Sequence, residues 1–135
     1  MSSPIFSQRV PSGFTPLIVT SECLDDQTRL VLAIGEIDLV TAPILVDELS
    51  MVLRPPMPKI VLVDLSGVTF LSSTGIGVLI DARRRGRAAD VRVRICGPNR
   101  AVARVLQLTG VMDYLEVFDS RMAARLTSSP VGLPR

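Results

Sequence analysis

Three consecutive hydroxyl residues, Ser72, Ser73 and Thr74, stand where an apolar run gives way to helical spacing, within Asp64-Leu-Ser-Gly-Val-Thr-Phe-Leu-Ser-Ser-Thr-Gly-Ile-Gly77. A buried strand is expected to lead through a short loop to these hydroxyls. Ser73 or Thr74 is then the expected N-cap, its oxygen accepting a backbone N–H of the first turn. Gly75 and Gly77 fall in that turn, where glycine costs about 1 kcal/mol relative to alanine. Two such glycines point to something approaching the backbone closely, and a helix N-terminus with free N–H groups suits a phosphate. The residues alone describe a helix-capping turn open to a partner or a phosphate. The alternative is a capped turn whose glycines only let helix and strand pack closely.

Much other chemistry is excluded. The sequence has no histidine, so neither Ser-His-Asp nor Cys-His catalysis nor a histidine-ligated zinc is available. Two cysteines, Cys23 and Cys96, cannot supply a four-thiolate zinc site and read as reduced thiols, with a redox pair as the alternative. No metal and no cofactor is expected. The strand–turn–helix around Ser73 superficially suggests a nucleophile elbow, but G-x-S-x-G is not met. Asp64, Asp38 and Asp81 could mimic the acidic pocket of a receiver domain, yet Lys59 is the only lysine and sits mid-chain. No catalytic residue is assigned, and the protein is not expected to be an enzyme.

The 135 residues make about one domain, and a 47% hydrophobic composition is enough to fill a core. No apolar run approaches the roughly 20 residues that span a bilayer. The first residues lack a secretory signal pattern, so a soluble, cytoplasmic protein is expected. Charge is uneven: residues 1–70 carry 4 basic and 8 acidic side chains, residues 71–135 carry 11 and 5. The cluster Arg83, Arg84, Arg85, Arg87, Arg92 and Arg94 raises nucleic-acid binding. With one tyrosine, no tryptophan and no reading motif, it is better taken as a solvated or partner-facing surface.

The elements that must position the hydroxyls alternate in period. Leu17–Thr20 and Arg29–Ile34 read as strands joined through Asp25-Asp26-Gln27. Thr41 or Asp38 caps a helix with Pro43 in its first turn and a Leu45, Leu49, Val52 stripe, ended by Arg54-Pro55-Pro56. Ile60–Val63 reads as a central strand covered on both faces. Ile76, Leu79 and Ile80 mark a second helix running out to solvent over Asp81 to Arg85. Val91-Arg92-Val93-Arg94-Ile95 alternates, which predicts a strand with one buried face and one wet, arginine-bearing face. Asn99 caps a third helix with a Val102, Val105, Leu106 stripe, closed by Gly110. A short strand over 114–118 and a helix from Ser120 to Leu126 complete the chain. The class is α/β, with a largely parallel core behind an N-terminal hairpin. The domain is expected over 14–127, with flexible termini at 1–13 and 128–135.

Phe70-Leu-Ser-Ser73-Thr74-Gly75-Ile-Gly77 closely resembles the F-[IM]-D-S-[ST]-G-[LI]-G signature of bacterial anti-sigma factor antagonists, the STAS domain family. Gly35-Glu36-Ile37-Asp38 followed by Thr41-Ala42 resembles that family's G-E-[IL]-D segment. Arg94-Ile-Cys-Gly-Pro98 through Leu106, Gly110 and Val111 is similar to its later strand and helix. The resemblance runs in order from about Pro16 to Leu126.

It implies a STAS-type fold, a four- to five-stranded mixed sheet with helices packed on one face. It further implies partner switching. The antagonist binds an anti-sigma factor with a kinase-type fold, which frees a sigma factor for transcription, and is released once the kinase has phosphorylated it. Carried over by position, the acceptor is Ser73, with Thr74 and Ser72 as alternatives. Glu36, Asp38, Ser72, Thr74, Gly75 and Gly77 are the implied partner-binding residues. The resemblance implies a monomer; no direct nucleic-acid contact is expected because no reading motif is present, and no membrane contact because no apolar segment is long enough to span a bilayer. One departure stands out: Ser72 replaces the family's aspartate, keeping hydrogen bonding but losing charge. A ligand- or nucleotide-sensing STAS module, and redox control through Cys23 and Cys96, are the alternative functions.

Overall fold

Runs rich in valine, leucine and isoleucine form five strands, and the stripes between them form helices, in a computed structural model that describes residues 16–127. The strands are β1 (Ile18–Asp25), β2 (Thr28–Ile37), β3 (Ile60–Leu71), β4 (Arg92–Cys96) and β5 (Glu116–Phe118). The helices are α1 (Ala42–Val52), α2 (Ser73–Ala88), α3 (Arg100–Leu108) and α4 (Arg121–Leu126), with a 3-10 turn at Val111–Asp113. The sheet order is β1-β2-β3-β4-β5. β1 and β2 form the expected antiparallel hairpin, and the pairs from β2 to β5 are parallel. The expected flexible termini lie outside the described residues, as do the first two residues assigned to the domain.

Alternation along the strands divides the side chains between two faces. Val31, Ala33, Val61, Val63, Val93 and Ile95 meet Leu45 and Leu49 of α1, Ile76 and Leu79 of α2, and Val102 and Leu106 of α3 in the main core. On the opposite face Leu30, Leu62 and Cys96 are closed over by Ala124 of the short α4. No described helix is long and apolar enough to cross a membrane.

Two expectations are corrected here. The segment after Val63 is not a loop: β3 continues unbroken for 12 residues to Leu71. β3 takes up one extra residue between Asp64 and Gly67 and another between Val68 and Phe70, opposite Leu32–Ile34 and Gly35–Glu36 of β2, so the strand bulges and bends there but continues. Within β3, the Ser66 N–H is held at 2.8 Å by the Asp64 carboxylate.

Nor is the even-numbered face of β4 wet. Arg94 is fully buried, its Nε on Glu116 at 3.1 Å and its Nη1 on the carbonyls of Ala124 and Thr127, each at 2.6 Å. Arg83 is buried too, with its Nη1 on Glu116 at 3.1 Å and its guanidinium 5.3 Å from the Tyr114 ring centre. Of the predicted solvated cluster only Arg84, Arg85, Arg87 and Arg92 lie at the surface. The cause is tertiary, since α4 and β5 arrive from later in the chain to cover what strand periodicity leaves open.

Candidate functional site

Parallel pairing brings the ends of β2 and β3 side by side, and each ends in a polar turn. The Ser72 N–H donates to the Ile37 carbonyl at 2.9 Å, which fixes the start of α2 beside the turn that opens α1. In that turn Asp38 Oδ1 accepts the N–H groups of Val40 at 2.9 Å and Thr41 at 3.0 Å. The Thr41 hydroxyl donates to the Glu36 carbonyl at 2.8 Å and accepts the Asp38 N–H at 2.9 Å. Thr41 occupies the N-cap position of α1 without bonding the first turn through its side chain. The Thr41 N–H is the main cause that holds the Asp38 carboxyl below its ordinary pKa, so Asp38 stands as a fixed anion at neutral pH.

The cap of α2 is Ser72, not Ser73 or Thr74. Its backbone is extended and its hydroxyl accepts the Gly75 N–H at 3.3 Å. Three adjacent hydroxyls make the local pattern ambiguous, and the tie to Ile37 selects the first of them. Ser73 therefore becomes the first helical residue and is exposed, while Ser72 and Thr74 are half-buried.

The two glycines differ. Gly75 is buried, and a Cβ there would come within 2.6 Å of Leu71 Cδ1 and 2.7 Å of Ile37 Cγ2, so its role is internal packing. At the exposed Gly77 a Cβ would meet nothing within 4 Å. Among the described residues nothing accounts for glycine at that position on the helix face that carries Ser73.

Sequence reading singled out the polar residues and missed their apolar surroundings. Leu39 and Val40, in the Asp38 turn, are 75% and 74% exposed. Phe70 lies opposite the half-buried Glu36 in the β2–β3 register and is 50% exposed. The available signal was two aliphatic side chains directly after the turn-forming Asp38. Among the described residues no cluster of three or more His, Cys, Asp or Glu could hold a metal.

A disulfide between Cys23 and Cys96 is ruled out by topology, which corrects the redox alternative in that form. Cys23 of β1 faces Arg29, Arg29 faces Val61, and Val61 faces Val93 of β4. Three strand spacings put β4 roughly 14 Å away, and Cys96 lies further along the strand. A disulfide needs Cα atoms within about 7 Å. Cys23 is exposed, whereas burial pushes the Cys96 thiol up to about 12, with Asp64 adding to the effect. A thiol reagent such as dithionitrobenzoate is expected to titrate one cysteine in the native protein and the second only after denaturation. Rapid labelling of both in the native state would contradict this.

Comparisons with known proteins agree with the fold. A family model described as STAS domain matches residues 24–124. The anti-sigma-B factor antagonist of Staphylococcus aureus (strain NCTC 8325 / PS 47) is 28% identical over 83 residues, 62% of this chain and 76% of that protein. The crystal structure of an anti-sigma factor antagonist from Mycobacterium paratuberculosis superposes with a TM-score of 0.72 at 27% identity, covering 81% of this chain and 91% of that one. The Bacillus cell fate determinant SpoIIAA, solved in its phosphorylated form, shares the fold with a TM-score of 0.61 at 17% identity, over 78% of this chain and 96% of its own.

Proposed function

This chain belongs to the STAS domain family, and we propose that it acts there as a cytoplasmic anti-sigma factor antagonist, a binding protein rather than an enzyme. Its partner is an anti-sigma factor with a kinase-type fold, and binding it frees a sigma factor for transcription. The observation that carries the reading is the exposed Ser73 at the first position of α2, beside the anionic Asp38 turn and rimmed by Leu39, Val40 and Phe70. Exposed apolar side chains grouped around a polar site are what a protein partner covers. The names of the relatives from Staphylococcus and Mycobacterium supply the class of partner.

Ser73 is the phosphoacceptor in this reading. Its Oγ attacks the γ-phosphorus of ATP held by the kinase, the bond to the β-phosphate oxygen breaks, ADP leaves, and the hydroxyl proton passes to a base of the kinase. Ser72 is less suited because its oxygen caps α2, and Thr74 is half-buried. Glu36, Asp38, Ser72 and Thr74 frame the contact, Gly75 seats α2 against the sheet, and Gly77 leaves bare backbone where the partner lies. A phosphate at Ser73 adds about −1.5 to −2 charges. The helix N-terminus favours that charge, so the domain stays folded. Release follows from bulk and from repulsion at the interface.

The test is intact-mass spectrometry after incubation with ATP and each candidate anti-sigma kinase from the same genome. One added phosphate is expected in the wild type and none in Ser73→Ala. A complex on a sizing column without any added phosphate would retain the antagonist and remove the phosphate switch. Neither complex nor phosphate with any candidate would overturn the reading.

A further inference from the structure

The second face of the sheet is closed by the shortest described helix. Leu30 of β2, Leu62 of β3 and Cys96 of β4 form an apolar layer there, to which the 6-residue α4 contributes one buried side chain, Ala124. Its two large apolar side chains, Met122 and Leu126, are 70% and 74% exposed. A helix this short does not hold its shape in water by itself. What keeps α4 in place is mostly polar. Arg121 Nε donates to Asp64 Oδ2 at 2.5 Å, and Arg125 Nη2 donates to Asp25 Oδ2 at 2.7 Å. Arg94 Nη1 joins the carbonyls of Ala124 and Thr127. The layer is open to one side, where Leu30 lines a cavity of about 280 Å³ with Thr20, Ser21, Glu22 and Leu32.

Lifting α4 strands no charge in the sheet. Asp64 keeps the Ser66 N–H at 2.8 Å. Arg94 keeps Glu116 through its Nε at 3.1 Å, the carboxylate that Arg83 and Arg92 also share. Water takes the place of the α4 partners of both groups, so the penalty for an unpaired buried ion does not arise. The main core lies on the other face and shares no residue with this layer. β5 is tied down just ahead of α4, since the Phe118 carbonyl accepts the Gly97 N–H at 3.0 Å, which leaves Asp119 and Ser120 as the hinge.

We infer that α4 is a latched cover, which opens as a unit about Asp119 and Ser120 while the sheet and helices α1 to α3 stay folded. Opening bares Leu30, Leu62 and the Cys96 thiol. Because one small apolar side chain is all that α4 buries, the contacts of Arg121 and Arg94 set how often it opens. The device is separate from the Ser73 surface and does not depend on the partner assigned to it.

Cys96 reports the opening, in the full chain carrying Cys23→Ser. Its reaction with excess dithionitrobenzoate is followed over hours, far beyond the span of a thiol titration, at urea concentrations below the unfolding transition. Slow labelling is expected in native buffer, at a rate that urea barely changes, because opening bares little surface. Arg121→Gln is expected to label about tenfold faster, through the loss of one charge-assisted bond. Val52→Ala, which removes methyl groups from the main core at the end of α1, is expected to lower the urea midpoint and leave the labelling rate in native buffer unchanged. Urea melts of each variant check that it folds. Labelling with the full urea dependence of global unfolding, acceleration by Val52→Ala, or a rate in Arg121→Gln no higher than without it would each overturn the inference.

Discussion

Ser73→Asp is expected to weaken the complex with the anti-sigma factor about a hundredfold while leaving the domain as stable as the wild type. The two effects part because they act at different places. At the first position of α2, a carboxylate meets free N–H groups and the positive end of the helix, a contribution of about 0.3–1 kcal/mol in favour of the fold. At the interface it joins the anionic Asp38, fixed by the Thr41 and Val40 N–H groups. A like charge in a desolvated contact costs several kcal/mol, and about 2.7 kcal/mol is a hundredfold in affinity. Titration calorimetry gives the affinity and a urea melt gives the stability. Equal affinity for both proteins would refute a charge-operated switch, and a large fall in stability would mean that Ser73 serves the fold.

Glu116→Gln is expected to have the largest effect on stability, a loss of about 3 kcal/mol. Arg83 and Arg94 have side chains 7% and 0% exposed, and the glutamate is the acidic partner of both. Neutralising it leaves two guanidiniums in low dielectric, and breaking a buried pair in this way typically costs about 3–5 kcal/mol. Against a total stability of about 5–15 kcal/mol for a single domain, that removes much of the margin. Arg92→Gln, removing the half-exposed member of the group, should cost less than about 1 kcal/mol. Urea denaturation with unchanged m-values separates the two. Equal, small losses would show that the buried cluster contributes little.

Legibility in the sequence followed the range of the interactions. Local signals read correctly: Asn99 caps α3 through its side chain, the last helix ends at Leu126 and starts one residue after the expected Ser120, and Leu45, Leu49 and Val52 form the buried stripe of α1. The stretch after Val63 read as a short loop and proved to be strand, because β3 absorbs its extra residues as bulges while β2 holds the pairing on either side. Arg94 looked solvent-facing from its alternation with valine and isoleucine; its partner is 22 residues away and its cover 30. At the candidate site, spacing and family resemblance singled out Ser73 and Asp38. The choice among three hydroxyls needed the hydrogen bond from Ser72 to Ile37, which no window of local sequence contains.

The strictly sequential order of the strands bears on why this α/β domain presents a surface and not a crevice. Each parallel connection, through α1, α2 and α3 in turn, steps to the next position in the same direction across the sheet. Crossovers of parallel strands share one hand, so successive steps in one direction lay their helices on one face. Nucleotide-binding α/β sheets reverse direction partway, and the divergence of adjacent loops at that switch point creates the cleft that holds the ligand. Among the strands described here the order never reverses. The turns after β2, β3 and β4 therefore follow one another along one end of the sheet without the divergence that opens such a cleft. A site without an enclosing cleft offers its outer side chains for recognition, so on the proposed function selectivity at this end of the domain would reside as much in the partner's complementary shape as in the residues of this chain.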